Sequence, residues 1–302
     1  MIQDIYPHVF HNEYTPRPLT ELDAIVCYDK NQVLMDVTQC EDHAIFPQLN
    51  DFTPEQRKRI EDSRKLQYLF AIDDIGYFLV PLDCIFAPDL ELINGDWIGA
   101  TGNTLRFMHI QKVRQQNDNS VGHAMMVSHH LNTWMTNHQF CGRCGSPAVP
   151  HDKERAMYCN HCGNIMYPQI SPAVAVAVVD PKTDRILLAK GLGEFKKFAL
   201  IAGYVEIGET VEECVRREVM EEVGLKVGKL HYFKSQPWGL TGIEMMGFYA
   251  ELDGDDTVTI QETELAEARW FDRGELKEEA TMSLSFTLID TFRRGEYVNW
   301  LK

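Results

Sequence analysis

Apolar runs broken by polar turns recur in the first hundred residues, which read as strand-rich. From Asp23 to Val37 the run DAIVCYDKNQVLMDV sets two apolar stretches around Asp29, Lys30 and Asn31, which predicts a hairpin. The run YLFAIDDIGYFLVPL repeats the arrangement, with Asp73 and Asp74 in its turn. Between the two, Thr53-Pro54-Glu55-Gln56 has capping-box spacing with proline at the first helical position, predicting a helix to about Ser63. Ala124, Met125, Ser128, Leu131 and Met135 then recur at helical spacing, and Ala173 to Val179 reads as a strand. The pattern predicts an α+β chain. Its parts are a strand-rich N-terminal domain over 1–120, a connecting helix over 121–138, a small cysteine module over 139–168 and a C-terminal domain over 169–302.

Charge narrows the partners. The 302 residues carry a formal net charge of -16 with 25% charged and 44% hydrophobic positions, so the chain is expected to fold as an ordinary globular protein and to repel polyanions and anionic membranes. The first twenty residues lack the apolar run of a secretory leader, and no stretch reaches the roughly 20 apolar residues that span a bilayer. A cytoplasmic location is the expectation. His123, His129 and His130 share the connecting helix without a carboxylate pattern beside them, and are read as packing or surface residues.

Cysteine spacing adds chemistry. Cys141, Cys144, Cys159 and Cys162 form C-x2-C-x14-C-x2-C, in which each pair supplies one edge of a tetrahedral Zn2+ site. Four thiolates leave no open coordination position, so this zinc is structural. Between Cys141 and Pro168 the bases Arg143, Lys153 and Arg155 nearly balance Asp152 and Glu154, which favours a brace or dimer element over a nucleic-acid reader. The scattered Cys27, Cys40, Cys84 and Cys214 are read as reduced, buried thiols.

The richest segment is Gly203-Tyr-Val-Glu-Ile-Gly-Glu209-Thr-Val-Glu-Glu-Cys-Val-Arg-Arg217-Glu218-Val-Met-Glu221-Glu222-Val-Gly224-Leu225. Thr210 with Glu213 makes a capping box and Gly224 a left-handed C-terminal cap, predicting a helix from about Val211 to Val223. Glu218, Glu221 and Glu222 then fall on one patch of that helix, where their repulsion calls for a cation. Mg2+ or Mn2+, hard and oxygen-seeking, suits the patch and the phosphate oxygens of a substrate. Glu212 with Arg216 and Glu213 with Arg217 fit ordinary i, i+4 pairs.

At every fixed position the segment resembles the Nudix box G-x5-E-x7-R-E-U-x-E-E-x-G-U, U being aliphatic. The order of the cysteine module, Tyr167-Pro168, the box and Ser235-Gln236-Pro237-Trp238 resembles the NADH pyrophosphatase family from about Phe140 to Trp270. That likeness implies a zinc ribbon, a C-terminal Nudix α/β/α sandwich with a mixed sheet, and cleavage of NADH or NAD to nicotinamide mononucleotide and AMP. It implies that Arg217 orients the loop through Glu209, that Glu218 and Glu222 bind metal with Glu221 as a further ligand, and that Gly203 lets backbone approach the ion. An outside carboxylate, Glu264 with Glu267 as the alternative, joins them as ligand and base. Tyr167 and Tyr204 would stack nicotinamide from two subunits of a homodimer, near Ser235, Gln236 and Trp238. Gly239 to Met245 departs from the family's proline-rich continuation, keeping only the methionine, which predicts a more flexible loop and looser selectivity. Other readings are hydrolysis of ADP-ribose, of dinucleoside polyphosphates or of an NAD-capped RNA end, and, from another class, a non-catalytic ligand-sensing regulator.

Overall fold

The computed structural model describes residues 1–86, 95–193, 197–278 and 282–301, and the chain divides into two compact units, Ile2–Gln169 and Ile170–Lys302 with Met1. Among the described residues no helix is long and apolar enough to cross a membrane.

In the first unit the run at 23–37 is divided between two sheets. Ala24–Val26 pairs in parallel with Ile75–Leu79, whereas Tyr28–Asp29 turns through Lys30, at φ 53°, to pair with Gln32–Asp36. Cys27 is fully buried where the chain changes sheets. The second hairpin, Gln67–Ile72 with Ile75–Leu79, closes through Asp73 at φ 51°. The reciprocal bonds of Thr53 and Gln56 start the helix Pro54–Glu61, which stops short of Ser63. Helix Asn119–Asn137 is capped by Asp118 and buries His123 edge-on to Phe10 at 4.7 Å, and burial pulls that imidazole down to about 4. His129 lies edge-on to Tyr28 at 5.8 Å. Both are packing residues. Cys84 is buried as expected, but Cys40 is exposed, because it caps a short surface 3-10 turn, Glu41–His43, with no buried residue.

The second unit comprises β1 (Ser171–Asp180), β2 (Arg185–Gly191), β3 (Ile201–Tyr204), α1 (Val211–Val223), β4 (Val227–Trp238), β5 (Ile243–Leu252), β6 (Leu265–Asp272) and α2 (Leu284–Arg293). The sheet runs β4-β5-β1-β2-β6, with β3 also on β1. Only β5 is parallel to β1, so the sheet is mixed. β1 is apolar on both faces because each face meets a helix. Val174, Val176 and Val178 pack with Cys214, Val215, Val219 and Val223 of α1, while Ala175, Ala177 and Val179 pack with Leu284, Leu288 and Phe292 of α2. Each buried valine or leucine contributes roughly 1.5–3 kcal/mol, so the α/β/α sandwich rests on this alternation. One edge of β1 is shared: β3 takes 173–176 and β2 takes 179–180. β3 thereby brings Gly203 and Tyr204 alongside α1, where Cys214 Sγ donates to the Tyr204 carbonyl at 3.3 Å.

Candidate active site and metal centre

Local bonds fix the box helix at both ends. Thr210 Oγ1 accepts from Glu213 N at 3.2 Å while the Glu213 carboxylate accepts from Thr210 N at 2.8 Å, and Gly224 closes the helix at φ 67°. The expected Glu213–Arg217 pair gives way to this arrangement, since the cap holds Glu213. Arg217 turns back to Glu209 in a bidentate pair at 2.7 and 2.8 Å, and Arg216 donates to the Gly228 carbonyl rather than to Glu212. Glu209 also accepts from Glu206 N at 3.0 Å, so its carboxyl is held near 2, chiefly by the Arg217 hydrogen bonds. The loop over 206–210 is thus tied to the helix through one side chain.

Arg217 reaches further. Its Nη1 donates to Glu218 at 2.8 Å and Glu221 at 3.1 Å, and its Nη2 to the Tyr204 carbonyl at 3.0 Å. Glu218 lies directly on Gly203: a β-carbon there would come within 2.0 Å of the Glu218 carboxyl. Space, not backbone angle, requires this glycine. Glu222 is 7% exposed, and its carboxyl is raised to about 7 by burial and then by the charges of Glu218, Glu264 and Glu221. These hard oxygen donors suit a divalent cation such as Mg2+ or Mn2+, although among the described residues only the four cysteines lie close enough together to form a ready metal cluster. Gln261, which no sequence motif singles out, supports the outside carboxylate: its backbone N–H donates to the Glu222 carbonyl at 2.9 Å and its side chain to Glu264 at 3.3 Å. Its only sequence signal is the three-residue spacing to Glu264.

The four cysteines are already gathered. Their sulfurs lie within 4.8 Å of one another, with Cys141 to Cys162 at 3.6 Å and Cys144 to Cys159 at 3.5 Å. A tetrahedral ion with Zn–S near 2.3 Å needs sulfurs about 3.8 Å apart, so the cluster fits structural Zn2+ with little movement. Each half is the same turn: Gly145 N bonds to the Cys141 carbonyl at 2.8 Å and Gly163 N to the Cys159 carbonyl at 2.9 Å, with φ 72° and 71°. The glycine after each pair is the signal beyond the cysteine count. Hydrogen bonds from the Ser146 side chain and backbone pull Cys144 down to about 5, towards the thiolate that binds metal.

The other expected contacts are dispersed. Tyr204 is 52% exposed at the end of β3. In the first unit, Tyr167 is 54% exposed and donates to Glu154 at 2.6 Å. Ser235 and Trp238 lie on β4, paired with Met246 and Ile243. Gln236 is buried, donating to the Met282 carbonyl at 3.0 Å and accepting from Leu284 N at 2.7 Å, which anchors the start of α2. Gln236, Trp238, Ala199, Met245, Ser283 and Phe286 help line a cavity of about 220 Å³. The Gly239–Gly242 segment is a short hairpin turn: Gly242 sits at φ 71°, and its carbonyl accepts from Ser171 N at 2.8 Å.

Residues 170–291 match the NUDIX domain family, and residues 136–167 match the NADH pyrophosphatase zinc ribbon domain. A protein of Stutzerimonas stutzeri named NAD-capped RNA hydrolase NudC is 36% identical over 219 residues, covering 67% of this chain and 78% of its own. A protein of the same name from Salmonella schwarzengrund is 43% identical over 162 residues, covering 53% of this chain and 62% of its own. The one from Haemophilus influenzae strain PittGG is 39% identical, with 54% of its length covered. Against these two the alignment spans less than two thirds of the relative. Among solved structures, a NUDIX hydrolase from Nitrosomonas europaea aligns at 21% identity with TM-score 0.42, over 53% of this chain and 93% of that one.

Proposed function

Because the chain belongs to the Nudix hydrolases that carry an NADH pyrophosphatase zinc ribbon, and is a pyrophosphohydrolase, we propose that it cleaves NAD or NADH between its two phosphates, releasing AMP and nicotinamide mononucleotide. The observation that carries this reading is the set of carboxylates around Glu222, whose own carboxyl is raised to about 7 by burial and then by the charges of Glu218, Glu264 and Glu221. Glu218 and Glu222 would hold Mg2+ or Mn2+, with Glu221 and Glu264 completing the set. When bound, such an ion lowers the pKa of water and neutralises charge on phosphate oxygens. Arg217 keeps Glu218 and Glu221 in place and fixes the loop through Glu209. Glu264, exposed and anchored through Gln261, takes the proton released by the attacking water. Tyr204 offers its open ring to nicotinamide, and Gln236 holds the start of α2 beside the cavity that Trp238 lines.

The names of the relatives support a second substrate, the NAD-capped end of an RNA, which presents the same diphosphate. We also propose a homodimer in which Tyr167 of one subunit meets the ring held by Tyr204 of the other. A cytoplasmic setting suits four reduced thiolates. Chromatography of products from NADH, NAD, ADP-ribose and NAD-capped RNA, with Mg2+ and with Mn2+, tests the assignment. Formation of nicotinamide mononucleotide from the first two, or of 5′-monophosphate RNA from the last, is the expected result. Absence of all of these products would overturn it.

A further inference from the structure

A cavity of about 480 Å³ lies wholly within the first unit. Its walls come from the first hairpin, the segment after Pro54–Glu61, the end of Ile75–Leu79, the long helix and the ribbon. The floor is apolar, with Val80 and Met157 buried and Leu82 and Met135 half-buried. Two aromatic rings border it. Tyr28 has its hydroxyl tied to Ser128 at 2.8 Å, which leaves the ring as wall, and Phe140 is 64% exposed. Asn132 and Gln139 add side-chain amides. At one side stand Arg64 and Lys65, adjacent in sequence and both exposed. None of the ion pairs found among the described residues involves either cation, although acidic residues outnumber basic ones 45 to 29 in this chain.

Each wall asks for a different part of one ligand. An apolar floor with aromatic borders takes a flat ring. Carboxamides of Asn and Gln pair with the edge of adenine, and two neighbouring cations take a phosphate. We propose that this cavity binds an adenine mononucleotide, with the ring on the Val80–Met157 floor and the phosphate on Arg64 and Lys65. None of its lining residues belongs to the Nudix box, so the site is distinct in residues from the hydrolytic one. The enzyme's own product AMP is a ligand of this class, a link that rests on the proposed reaction. Binding itself does not.

Calorimetric titration of the full chain with AMP tests the proposal, using Arg64→Ala with Lys65→Ala, Met135→Trp to fill the cavity, and Glu222→Gln as the control at the other site. AMP should bind with an affinity that the paired alanines lower about tenfold and that higher salt also lowers. Met135→Trp should abolish binding while leaving the melting temperature and the initial rate on NADH near wild type. Inorganic phosphate should compete far more weakly than AMP. The proposal fails if AMP does not bind, if Glu222→Gln alone removes binding, or if phosphate competes as well as AMP. Failure to cleave NADH, with AMP binding intact, would overturn the proposed substrate and leave this site standing.

Discussion

The ribbon and the box each gather negatively charged ligands, and they do it in opposite ways. Four thiols converge on one point in two copies of the same turn, and their sulfurs are close enough to close on an ion. The carboxylates lie around a helix, are held by Arg217 and remain open on the Glu221 and Glu264 side. Even the glycines differ. Gly145 and Gly163 are needed for a left-handed backbone, whereas Gly203 is needed for the room that Glu218 occupies. A structural site is complete when its ligands meet. A catalytic site must leave a position for something else.

Chelation separates the two most sharply. EDTA should abolish hydrolysis and added Mg2+ restore it, with one zinc per chain retained throughout as read by atomic absorption. Activity that followed zinc content would merge the two sites. Next in size, Glu222→Gln should lower kcat by about 10³-fold while circular dichroism stays unchanged, because glutamine keeps the volume and helix propensity and loses only the charge. Near-normal turnover in saturating Mg2+ would remove Glu222 from the ligand set. Gly203→Ala should cost about 10²-fold in kcat with little change in melting temperature, since the flexible end of Glu218 can yield where the backbone need not.

The pH response of the metal-free protein is smaller. Glu222 has its carboxyl raised from 4.5 to about 7, so the folded state binds the proton more tightly than the unfolded state. The stability this gives is complete below about 4.5 and is lost as pH rises through about 7. The loss should be on the order of 2 kcal/mol, vanish in Glu222→Gln and shrink when Mg2+ is present. Denaturant titration between those pH values measures it, and a slope of opposite sign would contradict the burial assigned to Glu222. Smallest of all, Gly145→Ala should cost about 1 kcal/mol through its φ of 72° and leave kcat unchanged. Lost activity there would mean that the ribbon does more than brace.

What could be read from the sequence follows the range of the interactions involved. The cap at Thr210, the stop at Gly224 and the cysteine spacing each depend on residues a few positions apart, and each forms as read. Spacing alone pairs Arg217 with Glu213, and only the family resemblance points Arg217 to Glu209. The claims of Arg217 on Glu218 and Glu221 depend on a side-chain rotamer. The split of 23–37 between two sheets could not be seen, because Ala24–Val26 answers to Ile75–Leu79, some fifty residues away. Gln236 looked like one letter of a motif until its partners at Met282 and Leu284 appeared. The looseness expected after Trp238 is opposed by one bond from Ser171.

The end of α1 bears on how portable the box is. Past Gly224 the chain makes a hairpin and returns, so that Thr259 N bonds to the Val223 carbonyl at 3.0 Å and Gln261 N to the Glu222 carbonyl at 2.9 Å. Those two peptide groups close the helix terminus and deliver Glu264 in the same stroke. A graft of Gly203–Leu225 into a foreign scaffold would therefore carry every letter of the motif and still arrive with its last turn bare and one carboxylate missing. The inheritable unit is the helix together with the returning segment over 259–264, and insertions are tolerable only where they leave that reunion undisturbed.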